Sequence, residues 1–146
     1  MEFIRRADES DLLRVAEIEV FNYRLNFYPI FKNDEFYFSE LNVLDKIKEY
    51  NNKTDSIFVY DDGTVKGFIM IDGTKIEKLF VEPVLHGNSI GRKLLEFAVN
   101  EQKANCLWAL EKNERAIAFY KRFGFHLTDE KIPEEDTDEF LVKMKL

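Results

Sequence analysis

The spacing of apolar residues changes several times along the chain, and each change predicts an element. Glu2–Arg6 alternates polar and apolar residues over one short strand. Behind a cap at Asp8 or Ser10, Leu12, Leu13, Val15, Ala16, Ile18 and Val20 form the apolar stripe of a helix. From Phe21 to Phe38 the chain turns aromatic, and Pro29 and Asn33-Asp34 should break that stretch into short pieces. Its rings either cover the core or line a substrate cleft, where they would offer rigid contact area and a face for a cation. Leu41, Leu44 and Ile47 place a second helix over Leu41–Tyr50, and Asn51–Asp55 is a polar connection. Ser56–Tyr60, Val65–Ile71 and Thr74–Val81 read as three strands of an antiparallel meander. Asp62-Gly63 and Asp72-Gly73 between them tolerate the positive φ of tight hairpins. Gly67, inside the middle strand, marks a bulge or close packing.

A helical rhythm returns with Ile90, Leu94, Leu95, Ala98 and Val99. Cys106–Leu110 is then a continuous apolar run, as in a strand buried beside a crossover helix. Asn113 caps a further helix whose stripe is Ala116, Phe119, Tyr120 and Phe123, and Gly124 ends it. Phe125–Leu127 and Glu139–Met144 finish the sheet, with the acidic stretch Lys131–Asp138 expected as a solvated loop between them. Neither repeats nor low-complexity tracts interrupt the 146 residues, so one domain over 1–146 is the expectation.

Composition narrows the function classes. A hydrophobic fraction of 45% is that of a chain with a core, not a disordered one. No apolar run has the length to span a bilayer, and the N-terminus lacks a basic-then-apolar signal pattern, so no membrane partner is expected. The single cysteine, Cys106, excludes an internal disulfide or a cysteine-rich metal site and suits a reducing, cytoplasmic setting. The net charge of −7 argues against nucleic acid and favours a cationic or amine-bearing substrate.

Two stretches carry candidate chemistry. Val81–Leu95 (V-E-P-V-L-H-G-N-S-I-G-R-K-L-L) runs from a strand through a turn holding Gly87 and Gly91 into a helix, with Ser89 placed to cap it. Unpaired amides and the positive end of a helix dipole suit a phosphate or pyrophosphate there, although an ordinary strand–turn–helix connection has the same appearance. Asn113–Phe125 reads N-E-R-A-I-A-F-Y-K-R-F-G-F. Together the two stretches resemble the GNAT superfamily of acyl-CoA-dependent N-acetyltransferases. Asn113, Ala116, Phe119, Tyr120, Gly124 and Phe125 fill every fixed position of that family's later motif, Asn-x-x-Ala-x-x-Phe-Tyr-x-x-x-Gly-Phe. The central motif, Val-x-Pro followed by Q/R-x-x-G-x-G/A, is met by Val81, Pro83 and Gly91. His86 stands where Gln or Arg is usual, and Ser89 where the middle glycine is usual.

The resemblance implies an α/β (α+β) fold with a mixed, mostly antiparallel six- to seven-stranded sheet flanked by about four helices. It implies transfer of an acetyl group from acetyl-CoA to a primary amine of a small molecule or peptide, in a monomer or homodimer and without a metal. In its terms the amides of His86, Gly87, Asn88, Ser89, Ile90 and Gly91 grip the pyrophosphate, and Arg92 and Phe119 flank the cofactor. The backbone of Phe80 and Val81 would pair with the pantetheine arm in a gap between the fourth and fifth strands, with Asn113 bonding it from the other wall. Tyr120 would protonate the departing thiolate. Glu77 is the candidate base, because simple alternation puts it on the face of Leu79 and Val81 and partial burial would raise its pKa. A surface ion pair is the equal alternative for Glu77, and Glu82 and His126 are weaker candidates for the base. The altered positions His86 and Ser89 motivate a second expectation, a catalytically weak or inactive CoA-binding sensor.

Overall fold

The computed structural model describes residues 2–146, and in it seven strands join in one sheet. They are β1 (Ile4–Arg6), β2 (Ile57–Asp61), β3 (Val65–Asp72), β4 (Lys75–Val81), β5 (Cys106–Leu110), β6 (His126–Pro133) and β7 (Phe140–Lys145), in the spatial order β1-β2-β3-β4-β5-β7-β6. Only β4 and β5 run parallel, joined by α4 (Ile90–Gln102); every other neighbouring pair is antiparallel. Between β5 and β6 lies α5 (Glu114–Phe123), while α1 (Leu12–Asn22), α2 (Tyr28–Phe31) and α3 (Val43–Tyr50) precede β2. No described helix is long and apolar enough to cross a membrane.

Each face of the sheet buries its own apolar layer. Ile69, Ile76, Val81 and Leu107 pack with Leu94, Leu95 and Ala98 of α4 and with Tyr120 of α5. On the opposite face, Ile57, Val59 and Phe68 meet Leu12, Val15 and Ile18 of α1 and Tyr50 of α3. Gly67 explains how closely α4 lies on the sheet. A Cβ there would stand 3.1 Å from both Leu94 Cδ1 and the carbonyl oxygen of Phe80. A bulge also lies beside it, since Tyr60 pairs with Gly67 while Asp61 pairs with Val65, so both expectations for this glycine hold.

A second bulge overturns the alternation expected of β4. Met70 faces Lys78 but Ile71 faces Ile76, so Glu77 is the extra residue. The insertion moves Ile76 onto the face of Leu79 and Val81 and leaves Glu77 exposed. Lys78 turns to the other face, toward α1. There Glu19, fully buried, accepts hydrogen bonds from the Tyr50 hydroxyl at 2.5 Å and from Lys78 Nζ at 2.9 Å, with Lys46 Nζ at 3.0 Å.

Other expectations change in detail. Pro29 does not break the aromatic stretch. After α1 the backbone widens into a π-type turn over Tyr23–Phe27, where Tyr28 N–H bonds back to Tyr23, and α2 continues through Pro29. The run stops only at Lys32, in the left-handed region at φ 53°. The second predicted helix starts later, at Val43, capped by Asn42 Oδ1 on Asp45 N–H at 2.9 Å. Leu44 on it faces solvent, so it does not belong to the buried stripe. Lys131–Pro133, assigned to the acidic loop, instead lengthens β6 and pairs with Phe140–Val142.

Candidate active site

β4 and β5 pair only through Lys75–Cys106 and Ile76–Leu107, and from there they part. Further along, Trp108, Ala109 and Leu110 bond to β7 on their other side, so among the described residues no strand lies against the edge of β4 beyond Ile76. Glu82 N–H donates to Lys66 O, which makes Gly67–Val81 a non-hydrogen-bonded pair and Phe68–Phe80 a hydrogen-bonded one. Leu79 and Val81 therefore turn their backbone groups into the gap, while those of Phe80 go to β3. This corrects the expectation for Phe80, whose backbone pairs with β3 although the residue lines the gap. The Val81 carbonyl is itself already satisfied, by Asn22 Nδ2 at 2.8 Å and His86 Nε2 at 3.0 Å. Only its N–H remains for a ligand.

The turn into α4 lies at one end of this gap. His86 and Asn88 commit their amides inside the turn, to Pro83 and Leu85. Among the described residues no backbone acceptor meets the amides of Gly87, Ser89, Ile90 and Gly91, which fall at the positive end of the 13-residue α4. Ser89 does not cap the helix through its hydroxyl. It occupies the N-cap position at φ 67°, ψ 6°, a left-handed conformation disfavoured by a Cβ. Ser89→Gly should therefore raise the melting temperature by a few degrees, because relief of about 1–2 kcal/mol of strain exceeds the added chain entropy of glycine. A melting curve unchanged or lowered would contradict that account.

A cleft of about 430 Å³ joins the turn to the gap. His86, Gly87, Ser89, Ile90, Gly91 and Arg92 line one end, and Phe119 lines it from α5, whereas Asn88 does not reach it. Arg115 and Arg122 also line it and have no acidic partner among the described residues, while Arg92 Nε is 3.0 Å from Glu96. Sequence reasoning missed this pair of arginines. Their seven-residue separation puts them on one helix flank with Phe119, and that spacing was legible.

A second cleft of about 470 Å³ opens between β4, β5, the α1–α2 run and the end of β6. Tyr23, Phe27 and Phe31 line it, so part of the aromatic stretch walls a cleft; Tyr37 is core, and Phe36 and Phe38 are exposed. Leu79, Phe80, Asn113, Ala116 and Tyr120 belong to both clefts. Asn113 Oδ1 caps α5 on Ala116 N–H at 3.2 Å, which leaves its side-chain NH₂ for the shared wall. Tyr120 is buried, with Phe119 and Phe125 against its edges at ring separations of 5.2 and 5.8 Å. Burial pushes its phenol well above the usual value, so it stays protonated. Its hydroxyl makes no hydrogen bond to another described residue.

Glu77 lines the second cleft and is paired with Lys75 at 2.9 Å, the ion-pair alternative and not the partly buried carboxylate. Glu82 is held by Arg14 of α1 at 2.9 Å, and neither it nor the exposed His126 lines either cleft. Among the described residues no three His, Cys, Asp or Glu side chains are grouped to hold a metal ion.

Comparison with known proteins gives the family and the fold. Residues 53–127 match the model of the acetyltransferase (GNAT) domain. The peptidyl-lysine N-acetyltransferase YjaB of Escherichia coli K12 is 36% identical over 62 residues, covering 42% of this chain and 42% of that protein. The match thus spans less than half the length of that relative. An N-acetyltransferase from Staphylococcus aureus Mu50 has a similar fold, with a TM-score of 0.75 at 17% identity over 98% of this chain and 99% of that one. PaiA N-acetyltransferase from Thermoplasma acidophilum, solved in complex with coenzyme A, gives 0.66 at 21% identity over 98% of both chains.

Proposed function

The chain belongs to the GNAT acetyltransferase family, and we propose that it transfers the acetyl group of acetyl-CoA to the side-chain amine of a peptidyl lysine. The observation that carries this reading is the meeting of two clefts at Tyr120, one ending on unpaired amides and arginines, the other walled by rings. The first suits the pyrophosphate and pantetheine of a CoA thioester, with Gly87, Ser89, Ile90 and Gly91 amides, Arg92, Arg115 and Arg122 on the phosphates and Asn113 on the arm. The second admits an alkyl amine toward the same point. The named substrate of YjaB favours lysine over other primary amines. The lone thiol of Cys106 fits a cytoplasmic setting.

In this scheme the neutral amine attacks the thioester carbonyl, the C–N bond forms, the C–S bond breaks and the amine gives up one proton. Glu77 takes that proton through water, and Tyr120 supplies one to the thiolate. Direct attack in a ternary complex needs no covalent enzyme intermediate.

Calorimetry with acetyl-CoA, followed by turnover on a lysine peptide, tests the proposal. Binding with turnover supports it. Binding with no turnover on peptides or small amines would leave the sensor reading, which the strained Ser89 and the inward-bonded His86 favour. Folded protein giving no heat at millimolar cofactor would end both. In the same assay Glu77→Gln should depress turnover most at neutral pH and recover partly at high pH, as the free amine becomes abundant. A uniform drop, or none, would remove Glu77 as the base.

A further inference from the structure

The ring-walled cleft carries a charge that the acetyl transfer above does not use. Tyr23, Phe27 and Phe31 stand at i, i+4 and i+8 along the run from α1 to α2 and present one aromatic wall. Glu134, the residue after β6, lines the same cleft. The other charged groups lining it are matched. Glu77 has Lys75 at 2.9 Å, and Lys78 has Glu19 at 2.9 Å. Glu134 is half-buried, and among the described residues no lysine, arginine or histidine pairs with it. Its charge reaches the aromatic cluster: burial chiefly raises the Tyr37 phenol, to about 12, and Glu134 adds to it.

The amine that is acetylated must be neutral when it attacks, so it cannot satisfy Glu134 at that step. A second cationic group on the acceptor can, with its methylenes against the rings. We infer that Glu134 selects acceptors bearing a second positive charge near the reacting amine, which in a peptide is an Arg or Lys beside the target lysine. The peptide form of this inference rests on the acetyltransferase reading above.

The experiment compares kcat/KM for two peptides identical except for Arg or Gln on both sides of one lysine, and for 1,5-diaminopentane against 1-aminopentane. Wild type should favour the Arg peptide and the diamine by roughly five- to tenfold, mostly in KM, with the preference shrinking at high salt. Glu134→Gln should reduce the peptide ratio to near one and the diamine ratio to about two, the statistical factor of its two equivalent amines, and leave the melting temperature unchanged, because the fold uses the Glu134 main chain, whose N–H donates to Glu139 O at 2.8 Å. Glu134→Lys should reverse them. Equal kcat/KM across both pairs in wild type, or a preference beyond that statistical factor that survives Glu134→Gln, would overturn the inference. If the small amines turn over and neither peptide does, the peptidyl-lysine reading falls, and the diamine ratio decides Glu134 by itself. Absence of all turnover would overturn both.

Discussion

Tyr120→Phe should lower the rate of acetyl transfer by roughly 10²–10⁴, the usual worth of a positioned general acid, while CoA affinity and melting temperature barely change. The separation is expected because the phenol does two different things. Its ring fills space between Phe119 and Phe125, and phenylalanine keeps that packing. Its hydroxyl makes no hydrogen bond within the described residues, so deleting it strands no buried partner. What is lost is a proton donor at the wall common to both clefts. Since burial holds the phenol protonated far above neutrality, wild-type turnover should show no alkaline loss attributable to this group below about pH 10, the unperturbed phenol value. Single-turnover rates, CoA titration and melting on one preparation decide the matter. A fully active Tyr120→Phe would remove Tyr120 from the chemistry, and a variant that merely melts earlier would make it a core tyrosine.

Local chemistry makes much of this architecture legible in the sequence. Asp62-Gly63 and Asp72-Gly73 specify their hairpins because the two glycines sit at φ 119° and 62°. The spacing from Asn113 to Gly124 specifies α5 with both of its ends. Glu77 allows two readings in the sequence, a partly buried base or a surface ion pair, because a β-bulge leaves no fixed trace in the residue types. One inserted residue reverses the face of everything before it, and Glu77 takes the second of those readings, the ion pair with Lys75. Backbone commitments were hidden as well. Which amides of the Val81–Leu95 turn remain unpaired depends on its conformation, and so does the capture of the Val81 carbonyl by Asn22, a residue 59 positions away in the chain. Pro29 failed as a helix breaker because a π-type turn just before it had already altered the hydrogen-bond spacing. Glu134 gave no signal in an acidic stretch. Its place in a cleft arises from the lengthening of β6.

The buried charge of Glu19 leads to the largest expected effect on stability. This carboxylate has no exposure and sits where α1, α3 and β4 meet, bonded by Tyr50, Lys78 and Lys46. Glu19→Ala should destabilise the protein by about 3–5 kcal/mol, the cost typical of removing one partner of a buried ion pair. For a domain of this size that is a melting temperature lower by roughly 10 °C or more. The loss falls unevenly. Lys46 keeps Glu49 at 2.9 Å, whereas Lys78, whose pKa burial already lowers, would lose the carboxylate that opposes that shift. In the variant the folded-state pKa of Lys78 should therefore drop further below its unfolded value of about 10.4. Between those two values the unfolded chain binds more protons, so the stability of Glu19→Ala should rise with pH there, its deficit being greatest below the folded pKa. Removing both charges in Glu19→Ala/Lys78→Met should recover part of the loss and flatten the pH slope, since no unpaired ammonium remains in the interior. Melting curves of the three proteins at pH 7 and pH 9.5 test this. A Glu19→Ala variant melting within 2 °C of wild type, or a double variant no more stable than the single one, would show that Lys78 finds solvent once Glu19 is gone.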